Sequence, residues 1–63
     1  MKYNRGNLKS TIRTAQALSI QSGLTWFVFA TARGYGVYKE PPAFHQGYYA
    51  IKGMNVEPVN RND

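Results

Sequence analysis

The stretch LTWFVFATARGYGVYKE, residues 24–40, decides the fold because its pattern is that of a β-hairpin. Its first half is rich in β-branched and aromatic residues and too short for a helix, which favours a strand. The RGYG segment supplies turn glycines, and residues 37–40 can run back as a second strand. Pro41 and Pro42 then end that strand, because proline cannot donate to a β-ladder.

Strand alternation separates the first strand into an apolar set and a mixed set. The apolar set is expected to face the core: Leu24, Trp26, Val28, Ala30 and Ala32. With Arg33 and Gly34 as central turn residues, Ala32 pairs with Tyr35 and Ala30 with Val37, so that Tyr35 and Val37 face inward. Three aromatics then face outward: Phe27, Phe29 and Tyr38. Such a cluster marks a binding surface, unless the loop with Phe44 or a partner subunit covers it.

Upstream of the hairpin, residues 7–22 have the pattern of an amphipathic helix. At 100° per residue, one sector collects the stripe that should face the sheet: Leu8, Thr11, Ile12, Ala15, Leu18 and Ser22. Asn7 is the expected N-cap, because its side chain can accept a hydrogen bond from the first turn. Gly23 is the expected C-terminal cap, since glycine takes positive φ without strain.

Downstream of the hairpin, residues 48–58 predict a third strand that Gly53 bulges or breaks. The expected fold class is therefore α+β, with one helix packed on a three-stranded antiparallel sheet in the order helix, strand, strand, strand. The single domain divides into consecutive parts: a basic arm (1–6), the helix (7–22), the sheet (24–57) and a polar tail (58–63).

Length, cysteine content and charge restrict the function. A chain of 63 residues without cysteine has neither a disulfide framework nor a thiolate zinc site, and a deep active site is not expected. The net charge of +5 favours nucleic acid or an acidic host protein as partner. The longest apolar run, residues 24–32, is shorter than the ~20 residues that span a bilayer, so we expect a cytoplasmic protein without a membrane partner.

Side chains for catalysis are sparse. His45 is the only histidine, so no second imidazole and no thiolate can join it on a metal. The three acids, Glu40, Glu57 and Asp63, have no spacing typical of a catalytic pair. We therefore expect a protein that is not an enzyme and that has no cofactor or metal.

The segment RGYGVY, residues 33–38, resembles the ribonucleoprotein motif of RNA-recognition domains and the equivalent stretch of cold-shock domains, where a Trp-Phe pair lies upstream. The resemblance implies aromatics that stack bases and a basic residue that meets phosphate. Val37 departs from it, because the second stacking aromatic belongs there, and Tyr38 stands where a small apolar residue belongs. A plain hairpin turn is the alternative.

A looser resemblance covers more of the chain. An alanine-containing helix, a glycine, an aromatic strand and a second strand are similar to small accessory proteins of phages and prophages; the residues are TAQALSIQSG (14–23), TWFVFATA (25–32) and GYGVYKEP (34–41). This resemblance implies a protein that acts in host takeover, DNA metabolism or counter-defence, and that does so by binding another molecule rather than by catalysing a reaction.

Seven residues are predicted to form the binding site: Lys9, Arg13, Phe27, Phe29, Arg33, Tyr38 and Lys39. In a nucleic-acid binder the four cations contact phosphates and the three aromatics stack bases. In a protein-interaction module the same aromatics form the interface core, and the charge steers the protein to an acidic host protein. A homodimer through the open sheet face is a third possibility. Lys9 and Arg13 can also be a solvated helix face.

Overall fold

The computed structural model of the protein describes residues 7–44 and 47–60, so the predicted arm (1–6), His45 and residues 61–63 lie outside it. The fold is α+β, with one helix and one antiparallel sheet, as predicted. The elements are α1 (Leu8–Ser22), β1 (Trp26–Thr31), β2 (Gly34–Tyr38), β3 (Gly47–Lys52) and β4 (Asn55–Asn60). The sheet has four strands in the order β2-β1-β3-β4, so the prediction of three strands is wrong.

Both predicted caps of α1 are present. The Asn7 Oδ1 atom accepts a hydrogen bond from the backbone N–H of Ser10 at 3.0 Å. Gly23 has a left-handed φ of 74°, and its N–H donates to the Ser19 carbonyl at 2.8 Å. A short polar side chain at the first position and a glycine at the last therefore define the helix, as the sequence predicts.

The extra strand arises at Gly53. This glycine has a φ of 58°, and with Met54 it forms the two-residue connection between the paired residues Lys52 and Asn55. A glycine with positive φ at the first central position is typical of tight hairpin turns, so the predicted single strand folds back on itself. β4 continues to Asn60 and thus includes Pro58, which the sequence assigned to the tail. Proline is tolerated there because β4 is an edge strand.

Replacing Gly53 by alanine is expected to lower the free energy of unfolding by about 1–2 kcal/mol, because a Cβ atom strains the left-handed conformation. The space itself is free, since no atom lies within 4 Å of the added Cβ. Gly47→Ala is the matched control: its φ is not positive, its nearest neighbour is the Val59 carbonyl oxygen at 3.8 Å, and the change should stay within about 0.5 kcal/mol. Urea denaturation measures both. Equal effects would contradict this origin of β4.

The β1–β2 turn lies one residue earlier than predicted. Its central residues are Ala32 and Arg33, and Thr31 pairs with Gly34. Gly34, with a positive φ of 107°, directly follows the two central residues, and the Thr31 hydroxyl accepts the Arg33 N–H at 3.2 Å within the turn. Ala30 consequently pairs with Tyr35 instead of Val37. The pairing shifts by two residues, and because side chains alternate with period two, the predicted facing is unchanged.

The core lies between α1 and one face of the sheet. Its buried apolar residues are Ala15, Trp26, Val28, Val37 and Ile51. Val28 and Val37 are direct partners across β1 and β2, which confirms that Val37 faces the helix. Leu24, Ala30 and Ala32 were also expected in this core, but they are exposed: Leu24 precedes β1 and is 52% exposed, Ala30 lies near the end of β1, and Ala32 lies in the turn. The helix packs on β1, β2 and β3.

Candidate functional site

The predicted outward aromatics do lie together on the sheet face opposite α1. Phe27 and Tyr38 are direct partners across β1 and β2. The Phe29 and Tyr38 rings stack with their centroids 4.3 Å apart and an interplanar angle of 20°. Phe29 lies opposite Gly36, and a glycine has no side chain to keep the Phe29 ring from reaching diagonally to Tyr38. All three aromatics are half-buried rather than fully exposed.

A fourth aromatic of this face, Tyr48, was not predicted. Its ring meets Phe27 edge to face, with centroids 5.9 Å apart and an interplanar angle of 67°. Phe27 pairs with Ala50, and alternation along β3 places Tyr48 on the same side as Ala50. Alternation along residues 48–52 predicts that Tyr48 and Ala50 share a face of the sheet. Which face they share depends on the pairing of β1 with β3, which the sequence does not show. We call Phe27, Phe29, Tyr38 and Tyr48 the aromatic face.

The β2–β3 connection, of which residues 39–44 are described, begins beside the aromatic face, since Lys39, Glu40 and Pro41 line one depression with Phe29 and Tyr38. The helix covers the other face. In the described part of the connection Pro42 is buried, whereas Phe44 is 96% exposed. The Phe44 ring therefore does not cover the aromatics, whereas other residues of the loop that contains it lie beside Phe29 and Tyr38.

A shallow depression lies beside the stacked rings. It has a volume of about 410 Å³, opens to solvent, and is lined by Phe29, Tyr38, Lys39, Glu40 and Pro41. The depression thus combines an aromatic wall and an apolar proline with Lys39 and Glu40, although the Lys39 ammonium group itself lies near the Trp26 ring. Glu40 and Pro41 were not predicted as site residues. They directly follow the predicted site residue Lys39 in the chain, and this adjacency is the feature of the sequence that could have indicated them.

The predicted cations do not share one surface. Lys39 is exposed at the end of β2, and its Nζ atom lies 5.8 Å from the centroid of the Trp26 ring. Arg33 is exposed in the turn at the other end of β2, six residues away, which is roughly 20 Å in an extended strand. Lys9 and Arg13 are exposed on α1, in the layer opposite the aromatic face. The structure therefore brings Phe29, Tyr38 and Lys39 together, with Phe27 adjacent, and leaves the other three apart.

Two further features bear on the chemistry of the surface. Within residues 7–44 and 47–60, no group of three or more His, Cys, Asp or Glu side chains is placed to hold a metal ion. In the same residues, no helix has both the length and the apolar character needed to cross a membrane.

Comparison with known proteins adds no relative from which to transfer a function. No protein-family model matches the chain, and neither a similar curated protein nor a similar solved structure is found.

Proposed function

We propose that the protein is a non-enzymatic binding protein for single-stranded nucleic acid, and that one unpaired base occupies the depression beside Phe29 and Tyr38. The observation that carries this proposal is the meeting of a stacked aromatic pair and Lys39 at one open depression. Aromatic side chains stack on any base, and a neighbouring ammonium group can contact the phosphate of the same nucleotide.

The size of the depression is compatible with a base. Its volume of about 410 Å³ lies at the small end of the roughly 300–1,000 Å³ typical of small-molecule pockets. Its openness allows a base to enter while the sugar and phosphate stay in solvent. A paired base inside a duplex cannot reach half-buried rings on a sheet face, and the proposal is therefore limited to single strands.

Glu40 adds a preference among bases. Its carboxylate is an acceptor only, so it favours a base that presents an exocyclic amino group, such as cytosine, over one that presents only carbonyl groups at that edge. The same carboxylate repels phosphate, so Lys39 is the phosphate contact in this proposal. Its Nζ atom lies 5.8 Å from the centroid of the Trp26 ring, and the exposed side chain turns toward the depression when phosphate binds.

The proposal is one of binding rather than catalysis. Glu40 is the one carboxylate residue among those that line the depression, so they include no carboxylate pair for acid–base chemistry. Glu57, the other acid of residues 7–44 and 47–60, lies on β4, which β1 and β3 separate from β2.

The test is a titration with a fluorescent single-stranded oligonucleotide and with its duplex at two salt concentrations. We expect the single strand to bind at least about tenfold more tightly than the duplex. The logarithm of its binding constant should fall with the logarithm of the salt concentration with a slope of about −0.7 for each phosphate contacted. No binding at low salt, or equal affinity for the two forms, would overturn the proposal.

A further inference from the structure

A second surface, on the helix side of the molecule, exposes large apolar side chains. Ile20 at the end of α1 is 61% exposed, Leu24 before β1 is 52% exposed, and Met54 in the β3–β4 turn is 70% exposed. We call these three residues the apolar patch. Single exposed apolar side chains are ordinary, but a group of large ones on neighbouring segments of so small a protein indicates a contact surface.

Hydrogen bonds hold the three segments of the patch together. The Ser19 hydroxyl donates to the Leu24 carbonyl at 2.6 Å and accepts the Gly53 N–H at 2.7 Å. The Gln16 Nε2 atom donates to the Met54 carbonyl at 3.2 Å. Ile20 follows Gln16 by one helical turn on the same flank of α1. The patch is therefore built on fixed backbone and not on a loose loop.

The charges beside the apolar patch are positive. Lys52 is exposed, and its Nζ atom donates to the Gly23 carbonyl at 2.6 Å, next to Leu24. Lys9 and Arg13 continue the helix flank that carries Gln16 and Ile20, because these four positions are spaced by four, three and four residues.

The two acids of the described residues lie elsewhere. Glu40 lines the depression on the aromatic face. Glu57 pairs with Ala50, which pairs with Phe27, so Glu57 also points to the side of the sheet opposite the helix. The apolar patch is thus an apolar centre with a cationic border.

We infer that the apolar patch binds an amphipathic segment of an acidic partner protein. Apolar side chains of that segment cover Ile20, Leu24 and Met54, and carboxylates beside them meet Lys52 and Arg13. An apolar centre with a charged rim is the usual anatomy of a protein interface, and opposite charges raise the association rate and exclude wrong partners. A second copy of this chain fits less well, because it brings like charges to the rim.

This surface differs from the proposed nucleic-acid site in both place and chemistry. The patch lies with α1, whereas the depression lies across the sheet, so the two ligands can be held at once. The protein would then bring a single strand and an acidic protein into proximity.

The experiment uses a synthetic amphipathic helical peptide with leucine on one face and glutamate on the other. A peptide of the same spacing with lysine in place of glutamate is the control. We expect the acidic peptide to shift the NMR methyl signals of Ile20, Leu24 and Met54 and to leave that of Val37 in place. The combined change Ile20→Ser and Met54→Ser should weaken binding about tenfold or more, which corresponds to about 1.4 kcal/mol. Phe44→Ser, at an even more exposed site elsewhere, should leave the affinity unchanged.

Three results would overturn the inference. They are no methyl shift at millimolar peptide, equal binding of the lysine peptide, and a doubled mass in solution that the Ile20→Ser and Met54→Ser changes abolish, since a second copy would then be the occupant. The same double variant should bind the single-stranded oligonucleotide as the unchanged protein does, so a failure here is distinguishable from a failure of the proposed nucleic-acid function.

Discussion

Replacing Ser19 by alanine is expected to lower the free energy of unfolding by about 2–3 kcal/mol. The Ser19 side chain is 2% exposed, and its hydroxyl is both a donor to Leu24 and an acceptor from Gly53. Alanine removes both bonds and leaves a part-buried N–H without its partner. Native domains are stable by only about 5–15 kcal/mol, and small ones lie at the low end, so this loss is large.

Thr14→Ala is the matched control for Ser19→Ala. The Thr14 hydroxyl is exposed and donates only to the Ser10 carbonyl within α1, at 3.1 Å. Alanine is also the better helix former, so the change should stay within about 0.5 kcal/mol. Urea denaturation followed by Trp26 fluorescence measures both variants. A Ser19→Ala effect as small as that of Thr14→Ala would show that the hydroxyl does not join the helix to the β3–β4 turn.

Phe29→Ala is expected to weaken binding of a single-stranded oligonucleotide about 10- to 100-fold, since a stacked base contributes about 1–3 kcal/mol. The change removes one ring of the stacked pair and one wall of the depression. The slope of affinity against salt should be unchanged, because no phosphate contact is lost. Fluorescence anisotropy at two salt concentrations separates the two quantities.

Two variants serve as controls for Phe29→Ala. Phe44→Ala removes an aromatic ring that is exposed but does not line the depression, and it should leave the affinity unchanged. Lys39→Gln should instead reduce the magnitude of the salt slope by about 0.7, because it removes one phosphate contact. An affinity that falls equally in Phe29→Ala and Phe44→Ala would contradict a specific site at the depression.

The parts of the fold that the sequence predicted are those that short-range chemistry determines. Asn7 and Gly23 cap the helix through their own side chain and backbone freedom, and neither depends on distant residues. The sheet faces of Phe29 and Val37 were also predicted correctly. Alternation is local, and the error in the turn position shifted the pairing by two residues, which leaves the facing unchanged. The sequence did not decide whether Gly34 lies at the centre of that turn or directly after it; in the structure it lies directly after the turn, with a φ of 107°.

The number of strands depended on one glycine. Gly53 was predicted to bulge or break a strand, and both outcomes fit the sequence around it. The positive φ of Gly53 and the pairing of Lys52 with Asn55 show a turn. β3 also pairs with β1, which lies more than 20 residues earlier in the chain, and a pairing of that range cannot be predicted from residues 48–58 alone.

The candidate site was predicted only in part, because the sequence indicates which residues meet within one hairpin but not on which face of the sheet the helix packs. Phe29, Tyr38 and Lys39 lie within one hairpin or just after it, and the sequence placed them together. Lys9 and Arg13 belong to α1, and the position of the helix relative to the sheet decides which face they accompany. Because α1 packs on the side opposite the aromatics, these two cations lie in another layer.

The most direct test of the nucleic-acid site is NMR of the protein with a cytosine-containing dinucleotide, in which protons of the base are tested for nuclear Overhauser effects to individual side chains. The proposal predicts contacts from the base to the ring protons of Phe29 and Tyr38, together with shifts of the backbone amides of Lys39 and Glu40. Base contacts to Lys9 and Arg13 on α1, with the rings of Phe29 and Tyr38 unaffected, would contradict it.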